Sequence, residues 1–350
     1  MIVHRNRRAL AIENRDLRVT VLEEGGHIAA ILDKKTGVNP LWSPLWPSLE
    51  PSTYDAARHP EYGGGIDGRL LAGIMGHNLC LDIFGPPSDE ESAAGLDPHG
   101  EASIVRYELA GTGGSTDGLT MRAEFPLAAL RFERRIELQE RIVDIRETVD
   151  NLSSVDRAIG WTQHVTLGPP FLKHGVTQFN ASATRSKTFE SAFGTDDYLK
   201  AGAEFDWPVA PRAAGGTSDL RVFTGVSKSS AYTAHLMDQT RGDAFFVAFD
   251  PDSRLAFGYR WKPSDFPWLG IWEENRSRTA PPWNGQTITR GMEFGVSPFP
   301  ETRRQMIDRG TLFGTRTYRW MPAKSRVTVE YSAIVRETDT IPRSLEIRDI

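Results

Sequence analysis

The chain has one cysteine, Cys80, in 350 residues. A single thiol excludes an intrachain disulfide framework and fits a reducing compartment. No uninterrupted apolar run approaches the ~20 residues that a membrane-spanning helix needs. The opening residues, MIVHRNRRAL, are basic but lack an apolar segment, so they do not read as a secretory signal. No block of lysine and arginine stands out, and the formal net charge is -5, which gives no electrostatic case for nucleic acid. There is no H-x-H or H-E-x-x-H cluster and no short-period repeat. Helical periodicity is also scarce, with one plausible helical turn at residues 301–308. These absences predict a soluble, cytoplasmic protein with neither a membrane nor a nucleic-acid partner.

What is present is ordinary globular composition, 39% hydrophobic and 25% charged, over a length that can bury a large core. Period-two alternation dominates. Residues 17–32 read as a hairpin broken at Gly25-Gly26, where glycine supplies positive φ. Residues 104–109, 119–125, 130–138 and 142–149 read as successive strands, with turns at 111–118 and 150–155. Phe132, Ile136 and Leu138 share one strand face; Val143, Ile145 and Val149 share another. The texture returns at 231–236, 244–249, 255–261, 268–272, 287–294 and 327–335. A Pro/Gly-rich loop is expected from Phe205 to Asp219. The class is therefore all-β: many short antiparallel strands without regular βα alternation, in one domain over residues 1–350.

One stretch is irregular without being poor in apolar residues. Residues 58–103 carry Gly63-Gly64-Gly65, Gly68-Arg69, Gly76-His77-Asn78, Pro86-Pro87 and Asp97-Pro98-His99-Gly100, among Leu70, Leu71, Ile74, Leu79 and Phe84. A long loop of that kind is expected to be ordered, functional and folded over one sheet. Four polar groups stand at Gly- or Pro-flanked strand ends or loops: Arg69, His99, His164 and Glu293. His77 and Asn78 form a weaker pair. His164 ends an alternating run just before Gly168-Pro169-Pro170, a place where a rigid sheet can aim a side chain at a ligand. Glu293 stands between Met292 and Phe294, and a carboxylate in apolar company needs a partner or a task. Each has a plain structural alternative: a satisfied strand histidine for His164, an ion pair with Arg290 for Glu293.

Together these residues resemble the aldose 1-epimerase (galactose mutarotase-like) superfamily. The pieces that carry the resemblance are Gly68-Arg69, His99-Gly100, His164 ahead of Gly-Pro-Pro-Phe, and a Trp-containing strand at 269–272 followed by Gly291-Met292-Glu293. Their order spans residues 17 to 331. Val165 and Phe294 stand where the family commonly has proline. The resemblance implies an antiparallel β-supersandwich that acts on a monosaccharide or a derivative of one. It implies that Glu293 takes the proton of the anomeric hydroxyl while His164 protonates the ring oxygen. Arg69, His99, His77 and Asn78 would bind sugar. Trp272 or Trp283 would stack on the pyranose face, although aromatics more often fill cores. No cofactor and no metal is required. The family's sugar-binding aspartate has three candidates here: Asp219, Asp238 and Asp250. The acid and base are expected to reach the sugar from separate positions, without touching each other.

Two other readings use the same residues. One is a non-catalytic, or differently catalytic, carbohydrate-binding protein on the same fold. The other is a β-sandwich metalloenzyme with His77, His99, His164 and Glu293 as ligands, set aside because no ligand pair has metal-site spacing.

Overall fold

The computed structural model describes residues 2–111, 118–223 and 228–345. Two large sheets face each other. One has 12 strands and the other 8. At the middle of the larger sheet, Ile28–Asp33, His77–Asp82, Arg157–Leu167, Ile288–Gly295, Trp268–Asn275 and Ser229–Met237 lie side by side. Each of these neighbours pairs antiparallel. The smaller sheet contains the expected run Gly118–Phe125, Leu130–Gln139 and Ile142–Asn151, followed by Arg326–Glu337, Leu255–Trp261 and Ala244–Asp250. The antiparallel β-sandwich expected from the sequence is the architecture observed.

Alternation explains the sandwich. Leu130, Phe132, Ile136 and Leu138 bury one face of their strand while Arg131, Arg135 and Gln139 stay wet. From the opposite sheet, Trp161, Val165, Leu269, Met292 and Phe294 meet them in one core cluster. Gly25 and Gly26, with φ of 77° and 58°, turn the hairpin between Leu17–Leu22 and Ile28–Asp33 as expected. The helix Arg303–Arg309 is the predicted helical turn, closed at its start by a reciprocal Thr302–Gln305 capping box.

Two features of the core were not expected. Arg134 sits on the buried face between Phe132 and Ile136, and Glu147 sits between Ile145 and Val149. They pair, with Arg134 Nε 2.8 Å from Glu147 Oε1. Glu147 also accepts from Trp161 Nε1 at 3.1 Å and Gln163 Nε2 at 2.6 Å, and the Tyr331 hydroxyl lies 2.7 Å away. The apolar faces read from the sequence are thus interrupted by one buried, hydrogen-bonded polar cluster.

Residues 58–103 do fold over the larger sheet, but they are not one loop. They contain the strand His77–Asp82, wedged between Ile28–Asp33 and Arg157–Leu167, and the short helices Gly68–Gly73 and Asp89–Ala93. All six residues of that strand are buried. A strand covered on both faces loses the wet/dry alternation by which strands are read. The strand expected at 104–109 begins only at Glu108, after the 3-10 turn Glu101–Ser103. Within the expected 205–219 loop the chain forms short strands, Val209–Pro211 and Thr217–Asp219. The turn expected at 111–118 falls largely outside the described residues.

Covering the outer face of the larger sheet gives a second apolar cluster. It joins Trp42, Trp46 and Trp283 from loops and Leu70 and Leu71 from the helix Gly68–Gly73 to Tyr232 and Trp272 from strands. The candidate site lies inside it.

Candidate active site

The register of three strands builds the floor. On Arg157–Leu167, His164 is directly opposite Asn78 on one side and Glu293 on the other. It lies inside the central strand, not at its end, since the strand runs on to Leu167 before the Gly-Pro-Pro break. Directly opposed residues on neighbouring strands share a face, with Cβ atoms about 4.5–5.5 Å apart. His164 and Glu293 therefore must meet. His164 Nε2 is 3.1 Å from Glu293 Oε1, which corrects the expectation that the two stay out of contact. The contact is off the line of a good hydrogen bond, and Glu293 Oε1 has no hydrogen-bond partner. His164 Nδ1 lies 3.1 Å from Thr166 Oγ1 on the same strand.

Glycines make room beside the carboxyl group. A Cβ at Gly291 would overlap Glu293 Oε1, and one at Gly270 would overlap the Tyr232 hydroxyl. The Gly-x-Glu spacing noted in the sequence thus has a steric reason. Gly291→Ala is expected to displace the carboxyl group and cut activity about tenfold or more, as misplacement of a reacting group does. Steady-state rates with an unchanged thermal midpoint would confirm it; full activity would refute it.

Above the floor is a cavity of about 430 Å³ lined by His99, His164, Tyr232, Trp272, Arg278, Trp283 and Glu293, with Asp67, Leu70 and Leu71 from the covering segment. His99 has a φ of 68° and is fixed by Phe84 O, 2.7 Å from its Nδ1, and by Cys80 Sγ at 3.0 Å. Its ring meets that of His164 edge-on, with centroids 5.2 Å apart. Trp272 meets His164 in the same way at 5.9 Å, and Trp283 stacks on Trp42.

Burial sets the protonation of the floor. Desolvation pushes the Glu293 carboxyl up to about 8, against a smaller opposing pull from the Tyr232 hydroxyl and Arg278. Desolvation, aided by His99, holds His164 well below the usual imidazole range. His99 is pushed down to about 4, again chiefly by burial. Both members of the pair favour their neutral forms, the reverse of the carboxylate and imidazolium that ordinary pKa values would give.

Three buried polar atoms on this lining have no hydrogen-bond partner among the described residues: Glu293 Oε1, the Tyr232 hydroxyl and Trp272 Nε1. Buried polar groups are normally paired. These three atoms leave hydrogen-bonding capacity at the cavity wall that a polar guest can take up.

Of the residues singled out from the sequence, His164, Glu293, His99, Trp272 and Trp283 come together at this cavity. Arg69 does not. It lies on the outside of the helix Gly68–Gly73, with its side chain 47% exposed and paired with Asp97 at 3.2 Å, while Leu70 and Leu71 of the same helix face inward. His77 points the other way, into the space between the sheets. There its ring nitrogens meet the Tyr259 hydroxyl and Gln163 Oε1, both at 2.9 Å, and burial pushes it down to about 3. Asn78, on the same face as His164, donates its Nδ2 to Ser103 Oγ at 3.0 Å and does not line the cavity. Neither is placed to bind a sugar there. Asp219 pairs with Arg221, Asp238 closes a turn with Thr240, and Asp250 holds Lys173; none lines the cavity. Tyr232, Arg278 and Asp67 were missed. Tyr232 reads as one more apolar strand residue, and Arg278 and Asp67 carry no local signal.

Among the described residues, no group of three or more His, Cys, Asp or Glu is arranged to hold a metal ion. His77, one of the four ligands of the metalloenzyme reading, faces away from the other three. Among the described residues, no helix is long and apolar enough to cross a membrane.

No family model matches the chain, and no curated protein matches it. Solved structures do. A candidate aldose 1-epimerase from Klebsiella pneumoniae superposes with a TM-score of 0.68 at 14% identity, covering 97% of this chain and 82% of that one. A galactose mutarotase related enzyme from Lactobacillus acidophilus gives 0.60 at 13% identity, over 96% and 100%. A galactose mutarotase-like protein from Clostridium acetobutylicum gives 0.61 at 12%, over 97% and 98%. The antiparallel sheets, their order and these superpositions place the chain in the galactose mutarotase-like fold.

Proposed function

We propose that this cavity binds a monosaccharide and interconverts its anomers, with His164 and Glu293 handling the protons. The observation that carries the reading is a buried imidazole–carboxyl pair, side by side on the floor of a cavity walled by tryptophans and unpaired polar atoms. The fold shared with proteins described as aldose 1-epimerases adds to it.

Side-by-side placement suits the reaction. The anomeric hydroxyl and the ring oxygen are bonded to the same carbon, so the two proton transfers take place close together. The carboxylate accepts the hydroxyl proton while the imidazolium donates to the ring oxygen. The bond from C1 to the ring oxygen breaks and a carbonyl forms at C1. Rotation exposes its other face, and closure returns both protons. One proton suffices for the pair, whichever partner carries it in the empty site. Trp272 and Trp283 offer flat apolar surfaces to a pyranose face.

The shared proton fixes the pH dependence. The one-proton state loses its proton as pH rises through the Glu293 value of about 8. It gains a second proton only well below the ordinary imidazole range. The kcat/KM for anomer interconversion is therefore expected to be flat through neutral pH and to fall above about 8. An exposed pair would already fall above about 6.5, the ordinary histidine value. A profile by polarimetry that drops between pH 6 and 7 would contradict the buried-pair account. Binding of sugars without turnover of any would leave the carbohydrate-binding alternative.

A further inference from the structure

Among the described residues Arg278 is the one arginine or lysine lining the cavity, and its setting is built, not incidental. The loop that carries it is tied back by backbone bonds from Arg276 to Thr287 and from Gly285 to Arg278. Glu274 Oε1 accepts from the backbone N–H of both Ser277 and Arg278, at 2.6 and 2.9 Å. The guanidinium carbon lies 5.3 Å over the Trp272 ring and 4.9 Å over the Trp283 ring. Its Nε is 3.5 Å from Glu274 Oε2, and the Nη atoms meet no hydrogen-bond partner among the described residues. A guanidinium lying on aromatic faces keeps its N–H edge free, and that edge matches a carboxylate in a bidentate fork.

We infer that Arg278 reads a carboxylate on the bound molecule, so that the site prefers aldoses carrying an acid group, the uronic acids, to neutral aldoses; this rests on the proposed anomer interconversion. The charge balance of the lining selects among anions. Asp67 shares the cavity with a single guanidinium whose Nε already faces Glu274, while burial holds the Glu293 carboxyl neutral. A phosphate dianion would meet too little positive charge, whereas a singly charged carboxylate matches one fork. Arg278 keeps its charge, since desolvation lowers a guanidinium that starts far above neutral pH. With the pair on the floor holding the reacting end of the ring, the fork would hold the acid group at the other.

The test separates charge recognition from turnover. Methyl glycosides cannot open their rings, so their binding reports the pocket alone. Calorimetric titration compares the methyl glycosides of glucuronic, galacturonic and mannuronic acid with those of the matching neutral hexoses. At least one acid should bind about 10- to 100-fold tighter than its neutral partner, the range of a hydrogen-bonded charge. Arg278→Met should bring that ratio to about one, and Arg278→Lys should keep part of it. The same ratio should appear in kcat/KM for the free sugars. The inference is overturned if no acid–neutral pair differs by more than about threefold. It is overturned equally if the preference survives in Arg278→Met, or if a hexose 6-phosphate glycoside binds tighter than every acid. A preference that depends on Arg278 in a protein that anomerises nothing would uphold the inference and remove the catalytic reading.

Discussion

Glu293→Gln is expected to lower anomer interconversion by about 10² to 10⁴, the usual loss when a general acid or base is removed. The amide keeps the shape of the carboxyl group and can still face His164 across the 3.1 Å contact. It cannot take a proton from the anomeric hydroxyl. His164→Asn should give a loss of the same order, and the double variant should be little worse than either single one, because the two act as one proton-sharing unit. Sugar binding, read by titration with a methyl glycoside, should be largely retained. Exchange between α and β resonances, followed by magnetisation transfer, measures the rate without coupling enzymes. Unchanged exchange in both single variants would remove the pair from the mechanism.

The largest effect on stability is expected away from the cavity. Glu147→Ala should cost about 3–5 kcal/mol, because it leaves Arg134 charged and unpaired in the core. The same change strands Trp161 Nε1 and Gln163 Nε2, which now donate to Glu147. Those residues alternate with Thr162 and His164 on the strand that carries the site. The damage should therefore reach the activity of whatever protein remains folded. Replacing the pair together, Arg134→Met with Glu147→Leu, should recover much of the loss, since an apolar pair has no charge to desolvate. Denaturant unfolding of the three proteins decides the matter. A loss below about 1 kcal/mol in Glu147→Ala would mean that water reaches Arg134 and that the cluster is not sealed.

Much of the architecture is legible in period-two alternation wherever one strand face is dry and the other wet. Leu130–Gln139 and Ile142–Asn151 are of that kind and lie close to their expected bounds. His77–Asp82, HNLCLD, is covered on both faces, so its sequence carries no polar–apolar alternation to reveal it. That is why a central strand read as part of a loop. Alternation puts Arg134 and Glu147 on the dry faces, but nothing local says how a charge survives there, because its partner is distant in sequence and only their meeting makes burial tolerable.

For the site, residue type and flanking glycine were enough to single out His99, His164 and Glu293, which the fold brings to one cavity. Local pattern cannot say to which side of a sheet or helix a residue turns. His77 and Asn78 are adjacent in a strand and point to opposite faces: His77 turns toward the other sheet, and Asn78, on the face of His164, is held by Ser103 and does not line the cavity. Arg69 and Leu70 are adjacent in a helix, and only the leucine turns inward. The sequence by itself determined the all-β class and the residue types of the candidate acid–base pair, because alternation and chemical identity are local properties. Strand register decided the rest. It put His164 opposite Glu293 and turned Tyr232 toward them, and the covering segment then dried the pair enough to reverse its expected charge state. Proximity and desolvation come from residues far apart in the chain, so they exist only once the sheets have closed.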